Sequence, residues 1–416
     1  MTAAPRALPG SELCVHCGFC LQACPTYLTL DDENDSPRGR IVLMKALAAG
    51  TLSPTDDAVG THLDQCLGCR ACETACPSGV PYGQLLEQTR ADTAAARPIA
   101  ATSRLILATF ATPWLSALFF AGGRAIRALG ISRLLARMPG RIGNLMATLE
   151  ATRRDEAVSE YPAAPATRAG VAVLQGCVME GLLAPVNRAT ERTLARNGYA
   201  LCNAEGQGCC GALHAHAGSR EAARRLARTN IAAFERSGAA FIAVNSAGCG
   251  SAMKEYGHLL ADDVSWKDRA QAFGNKVRDV SELLAVAGPA LAKGRTVKVA
   301  VDHPCHLVHG QRLSDPPARV LAAIGGVQAA DLPDAAQCCG SAGLYSLAQP
   351  ELSLRILAPK LSGVAASGAE VVATGNPGCM MHIGAGLIRA ASQTKALHPV
   401  ELLDAAYAAD HTAGTR

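Results

Sequence analysis

A chain of 416 residues that is 49% hydrophobic and 18% charged holds enough apolar material for two or three cores, which excludes a short peptide and an intrinsically disordered polymer. Its 39 basic and 35 acidic residues leave a net charge of +4, and two Trp, seven Tyr and seven Phe give few rings to stack on bases, so no nucleic-acid partner is expected. The 17 cysteines are about 4% of the chain, below the roughly 8–10% of small secreted disulfide scaffolds.

Residues 1–13 (MTAAPRALPGSEL) lack the charged start, apolar run and cleavage site of a secretory signal. The expected location is therefore the cytoplasm, where thiols stay reduced and clustered cysteines serve metals or redox chemistry.

Residues 1–90 read as one small α-helical domain holding two cysteine knots, separated by the turn-rich DDENDSPRGR at 31–40 and the helical IVLMKALAAG. The first knot is CVHCGFCLQACP, with Cys14, Cys17, Cys20 and Cys24 before Pro25; the second is CLGCRACETACP, with Cys66, Cys69, Cys72 and Cys76 before Pro77. Gaps of two, two and three residues followed by proline are the spacing of bacterial ferredoxins that carry two 4Fe-4S clusters. Three thiolates at three-residue steps wrap one corner of a cube, and the fourth points away to the other cube. On that logic Cys14, Cys17, Cys20 and Cys76 hold cluster 1, and Cys66, Cys69, Cys72 and Cys24 hold cluster 2. Val15, Phe19, Leu21 and Leu67 are expected to form a dry shell, with Gly18 and Gly68 letting the backbone approach the sulfurs. Structural zinc also takes Cys-x2-Cys pairs, but it needs four ligands and has no use for the doubled pattern. His16 is a spacer residue expected to pack or to support the ligands. Arg38 and Arg40 either offset the anionic clusters, face a partner or sit in a solvated loop. Neither knot has an open coordination position or an adjoining acid or base, so the clusters are expected to carry electrons.

Residues 91–165 form a helical connector without cysteines. Within it, 105–123 (LILATFATPWLSALFFAGG) is uncharged, broken by Pro113 and surrounded by Arg104, Arg124, Arg127, Arg133 and Arg137. A helix buried under the cluster domain or against a partner, a segment on the membrane surface, and a span are the three readings; peripheral contact with the cytoplasmic face of the inner membrane follows from the second.

After YPAAPATRAG at 161–170, β-branched runs alternate with Ala/Leu/Arg helices and the chain repeats itself. VAVLQGC ending at Cys177 matches KVAVDHPC ending at Cys305; GCCG with Cys209 and Cys210 matches QCCG with Cys338 and Cys339; FIAVNSAGC ending at Cys249 matches EVVATGNPGC ending at Cys379. Two α/β lobes are predicted, 166–290 and 291–416, each running strand, cysteine, helix, Cys-Cys-Gly, helix, strand, Gly-Cys. The fold class is thus α+β and multidomain. Two matching sets of four cysteines point to a further metal or redox site, the alternative being inherited buried thiols that pack as small hydrophobes. The glycine after each vicinal pair is expected to turn the chain so that both sulfurs reach one site. Cys202 has no counterpart and reads as an ordinary buried thiol.

The repeats resemble CCG domains, the cysteine-rich modules of heterodisulfide reductase catalytic subunits. With CVHCGFC, CPTYL, SPRGR, HLDQCL, CPSGV, GCCGALH, GCGSAMKEYG and CCGSAGLYSL in this order, nearly the whole chain resembles the iron-sulfur subunits of glycolate oxidase (glycolate dehydrogenase). The resemblance implies that two flavin-binding partner subunits, holding FAD, oxidise glycolate to glyoxylate while this chain passes electrons to an acceptor, the quinone pool. The sequence has no dinucleotide glycine fingerprint and no P-loop of its own. It departs from the heterodisulfide reductase pattern where a fifth cysteine is due, having Ala252 and His382 there, so an unusual cluster in the lobes is in doubt and His382 is a substitute ligand to weigh. His303, His306, His309, His214 and His216 flank the lobe cysteines, for loop packing or for proton delivery. The rival readings are the equivalent subunit of an anaerobic glycerol-3-phosphate or lactate-type dehydrogenase, a zinc-stabilised cysteine-rich binding protein, and lobes that themselves reduce a disulfide.

Overall fold

The computed structural model describes residues 7–153 and 160–414; the expectations for residues 1–6 of the leading segment and 154–159 of the connector lie outside the described residues.

The N-terminal part is helical, as its short apolar repeats require. Pro25 and Pro37 each stand in the first turn of a helix (Pro25–Leu30 and Pro37–Ala48), where the missing N–H costs nothing. Ser36 caps the second, accepting from the Gly39 amide at 3.0 Å. Ile41 and Met44 on that helix pack with Leu85 and Leu86 of helix Tyr82–Thr93, and Cys66 and Cys72 lie in the same core.

The connector folds as helices Ala101–Ala111, Pro113–Ala128, Ile131–Leu135 and Gly140–Glu150. The uncharged run is two helices meeting at 109° at Thr112 and Pro113, because proline cannot continue the first helix. Among the described residues no single helix is long and apolar enough to cross a membrane. The buried-helix expectation needs correcting: Phe120 and Leu107 are buried, but Leu105, Trp114, Leu118 and Phe119 are exposed.

Each repeated half carries a four-stranded parallel sheet. In the first half the strands are β1 (Arg168–Val173), β2 (Tyr199–Cys202), β3 (Phe241–Val244) and β4 (Val277–Asp279), in spatial order β2-β1-β3-β4. The second has β5 (Ala292–Val301), β6 (Ile324–Ala330), β7 (Val371–Ala373) and β8 (Lys395–Leu397), in the matching order β6-β5-β7-β8. The central strands β1, β3, β5 and β7 are apolar and buried at their C-terminal ends, as strands covered on both faces must be. The halves share one core: Val171 and Val173 of β1 belong with Val299 of β5, Val371 of β7 and Leu403 and Tyr407 of helix Pro399–Gly414. Asp404 on that last helix is buried and takes Arg192 of the first half (2.9 and 2.6 Å) and the Tyr161 hydroxyl (2.7 Å).

This order makes connections leave β1 and β3 in opposite directions, and likewise β5 and β7. The crevice at the carboxyl ends of such a pair is where open parallel sheets take ligands. Cys177 follows β1 and Cys249 follows β3; Cys305 follows β5 and Cys379 follows β7.

Candidate functional site

In the first knot, Cys14, Cys17 and Cys20 sit on the loop between Leu13 and Pro25, and Cys76 comes in from the end of helix Ala71–Ala75. The four line one cavity of about 420 Å³, its open mouth included, together with Cys72, Gly18, Val80 and Tyr82. The loop is shaped by left-handed residues at His16 (φ 56°) and Gly18 (φ 86°). Arg38 braces it, donating to the His16 carbonyl at 3.2 Å while paired with Glu33 at 2.6 Å, and a side chain at Gly18 would meet the Arg38 guanidinium. His16 itself is exposed. Of the expected dry shell only Leu67 is buried; Leu21 is half-buried, and Val15 and Phe19 are 69% and 68% exposed, because the loop lies on the surface with the cavity beneath it.

The second knot lies deeper. Cys66, Cys69, Cys72 and Cys24 are all buried. Burial, with Cys69, Cys66 and Cys24 beside it, pushes the Cys72 thiol well above its ordinary value. Arg40 is fully buried next to this group. Its guanidinium donates to Thr26 Oγ1 (2.9 Å), the His62 carbonyl (2.6 Å), the Asp35 carbonyl and the Asp35 carboxylate (2.9 Å), and stands 4.0 Å from Cys24 Sγ. Of the roles read from the sequence, the solvated loop and the partner-facing surface are ruled out for Arg40. A cation kept out of water at this depth needs anions around it, and Asp35 is the carboxylate that meets it.

In the repeated half each cysteine set converges. Cys177 and Cys209 Sγ are 3.7 Å apart, and Cys210 and Cys249 are 3.2 Å apart. In the second lobe Cys339 and Cys379 are 3.1 Å apart, and Cys338 reaches Cys305. The glycine after each vicinal pair has the predicted turn, Gly211 at φ 83° and Gly340 at φ 84°; a Cβ at Gly340 would stand 2.6 Å from the Ser353 carbonyl. Cys202 lies apart on β2, half-buried near its own backbone, as an ordinary thiol does. His382 is buried with its Nε2 3.0 Å from Ser353 Oγ, which donates to the Gly340 carbonyl, so that face of the ring braces the turn. Behind the second set, Lys360 and Asp302 form a buried ion pair at 2.5 Å that the first lobe lacks, Leu174 standing where Asp302 does.

The two lobe sites adjoin. The Ala247 amide donates to the Gly375 carbonyl (3.0 Å) and the Gly248 amide to Asn376 Oδ1 (3.1 Å), while Asn376 Nδ2 points to Cys379 Sγ at 3.6 Å. The N-terminal knots sit over this junction. Cys338 packs against Cys69 and donates to it, which holds the Cys69 thiol below its ordinary value despite burial. Around the contact run His306 Nε2 to the Gly68 carbonyl (3.0 Å), His309 to Thr74 (2.9 Å), His216 to Glu87 (2.7 Å) and Arg70 to Glu255 (2.6 Å). Three of the five flanking histidines thus fasten the N-terminal part to the lobes. His214 instead meets the Leu107 carbonyl in the connector (3.0 Å). Sequence reasoning missed these fasteners, since their members stand more than a hundred residues apart.

The donor sets are all thiol. Such sulfur ligands suit iron-sulfur clusters, zinc or copper(I) and exclude magnesium and calcium. Burial raises the Cys20, Cys24 and Cys72 thiols, and a metal that binds them replaces their protons. The residues therefore fit a thiolate-held cluster at each knot.

Residues 10–80 match a family model described as a 4Fe-4S dicluster domain, and residues 171–254 and 299–384 each match a cysteine-rich domain. The chain is 36% identical to the probable glycolate oxidase iron-sulfur subunit of Bacillus subtilis (strain 168) over 94% of its length and 92% of the relative's. It is 35% identical to the glycolate oxidase iron-sulfur subunit of Escherichia coli (strain K12), over 96% of both chains. Lactate utilization protein A of Exiguobacterium sp. (strain ATCC BAA-1283 / AT1b) is 27% identical over 56% of this chain and 96% of its own.

Proposed function

This chain belongs to the family of glycolate oxidase iron-sulfur subunits, and from that premise we propose that it takes electrons from two FAD-binding partner subunits that oxidise glycolate to glyoxylate and delivers them to a quinone. The observation that supports the reading is that Cys14, Cys17, Cys20 and Cys76 line one surface cavity that Cys72 also reaches, while Cys69, Cys66 and Cys24 stand beside Cys72 beneath it. We assign Cys14, Cys17, Cys20 and Cys76 to one 4Fe-4S cluster and Cys66, Cys69, Cys72 and Cys24 to the other. Such clusters, when bound, take up and give back single electrons. The chain's part is to hold them at fixed separation: Cys24 and Cys76 each leave their own knot for the other, tying the two into one rigid unit. Arg40 supplies a buried positive charge beside the deeper set. Cys177, Cys209, Cys210 and Cys249, and Cys305, Cys338, Cys339 and Cys379, form a further redox or metal site beyond the deeper set.

The ligand assignment is tested by iron analysis of anaerobically isolated protein with Cys24→Ser and Cys76→Ser. Each change is expected to remove about four irons from a wild-type total of about eight, or more if the lobes also hold iron. The low-temperature EPR signal lost with Cys24→Ser should match that lost with Cys66→Ser, and the Cys76→Ser loss that of Cys14→Ser. A colourless, iron-free wild-type chain that still supports turnover would refute the reading.

A second substrate reading, a lactate-type 2-hydroxy acid, is favoured by the likeness to lactate utilization protein A. Dye reduction by the assembled complex with glycolate, lactate or glycerol 3-phosphate decides between them; glycolate is the expected donor.

A further inference from the structure

The connector shows an apolar surface that neither cluster chemistry nor lobe packing uses. Among the described residues, ten of the twenty-one exposed large hydrophobic side chains lie within residues 101–150. Leu105, Trp114, Leu118, Leu129, Leu134 and Ile142 are each 60% or more exposed. Trp114, Leu118 and Leu129 share one stripe of the helix Pro113–Ala128 and its cap, at separations of four and eleven residues. A concentration of this kind on a soluble body marks an interaction surface.

Charge says what the surface meets. From residue 93 to 149 there is no Asp or Glu, and there are seven arginines, of which Arg104, Arg124, Arg133, Arg137 and Arg141 are exposed, Arg124 donating to the Gly181 carbonyl. Arg133 leans to the buried Glu150 at 3.5 Å, but protruding aliphatic and indole side chains fringed by Arg104, Arg137 and Arg141 form the pattern of helices lying in the interface of an anionic bilayer. The longest of these helices has 16 residues, roughly 24 Å, against a hydrocarbon core of about 30 Å, and it meets its neighbour at 109°. Neither helix alone is long enough to cross a membrane, and the 109° bend turns the pair back on itself, a shape suited to lying along one. We propose that the connector helices 101–150 seat this chain on the surface of an anionic lipid bilayer, with Trp114 and Leu118 entering the acyl boundary and Arg104, Arg137 and Arg141 on the phosphates. The inference is independent of the substrate reading.

The test uses the full chain, isolated anaerobically with its iron, and sedimentation with vesicles of phosphatidylglycerol and phosphatidylethanolamine or of phosphatidylcholine alone. The chain has two tryptophans, so Trp266→Phe leaves Trp114 as the reporter. The chain should pellet with the anionic vesicles only, less so as salt is raised, with the Trp114 emission moving to shorter wavelength. Leu118→Glu with Leu134→Glu should weaken binding at least tenfold with iron content unchanged, and each arginine replaced by Ala about fivefold. Three outcomes overturn the proposal: no sedimentation with either vesicle, equal binding by the Leu118→Glu, Leu134→Glu chain, or a Trp114 shift that appears only when the flavin-binding subunits are added, which would make the surface a protein seat. Iron content and dye reduction, read on the same samples, separate this failure from failure of the electron-transfer reading.

Discussion

Cys338 of the second lobe lies against Cys69 of the deeper knot, whereas Cys209, its counterpart in the first lobe, takes its neighbours from its own lobe: Cys177, Cys210 and His214. The pseudo-equivalent lobes are therefore unequal with respect to the knots. The second lobe's cysteines stand next in line after Cys69, and the first lobe's follow across Gly248 and Asn376.

That asymmetry has a spectroscopic consequence. Cys338→Ser should change the EPR line shape or midpoint potential of the cluster we assign to Cys69, since a hydrogen bond to a ligand sulfur tunes its potential. Cys209→Ser should leave both knot signals unchanged. Equal effects from the two substitutions would show that the contact with Cys69 carries no influence.

Arg40 lets electrostatics be separated from packing. Removing one member of a buried pair strands the other; Arg40→Met should destabilise the N-terminal part by about 3–5 kcal/mol, read as a lowered unfolding midpoint. Loss of the positive charge 4.0 Å from Cys24 Sγ should also make the potential of the adjacent cluster more negative, because the reduced, more anionic state loses its counter-charge. The double change Arg40→Met with Asp35→Leu should recover stability and return the potential part of the way, since the neighbouring negative charge goes with the positive one. A potential unmoved by either change would remove Arg40 from the redox account.

Asp279 gives a pH dependence whose sign can be worked out. It caps helix Val280–Ala287, accepting from the Ser281 amide at 2.8 Å, and burial pushes its carboxyl up to about 6. A carboxyl whose folded value is raised binds protons more readily folded than unfolded, so its contribution is present below about pH 4 and is lost as pH rises through about 6. Asp279→Asn keeps the cap without the charge. The variant's stability relative to wild type should rise from near zero at pH 4 to at most about 3 kcal/mol above pH 6, followed by urea unfolding. A difference that does not change with pH would contradict the burial argument.

The knots were legible because cysteine spacing is covalent information: the gaps from Cys14 to Cys76 are read directly from the chain. The lobes were legible through repetition, and the glycines at 211 and 340 through the steric demand of a positive φ. Strands β2 and β6, which precede the vicinal pairs, were not foreseen. They are edge strands, YALC only four residues long and IGGVQAA carrying two glycines, so β-branched patterning is weak there. The burial of Arg40 was equally hidden, because its partners Cys24, Thr26 and His62 lie 14 to 22 residues away and converge only on folding. The exposure of Trp114 and Leu118 escaped composition for the opposite reason: an apolar helix reads the same whether it faces a core or a bilayer.

The shared interior of the two lobes, with Val173, Val299 and Tyr407 in one continuous body and Arg192 clasped to Asp404, leaves no pivot between them. A carrier built this way is a fixed conduit and not a swinging arm. On the proposed function, a donor and an acceptor would meet a body whose lobe sites keep one spacing, so any change in distance would have to come from the partners' own approach.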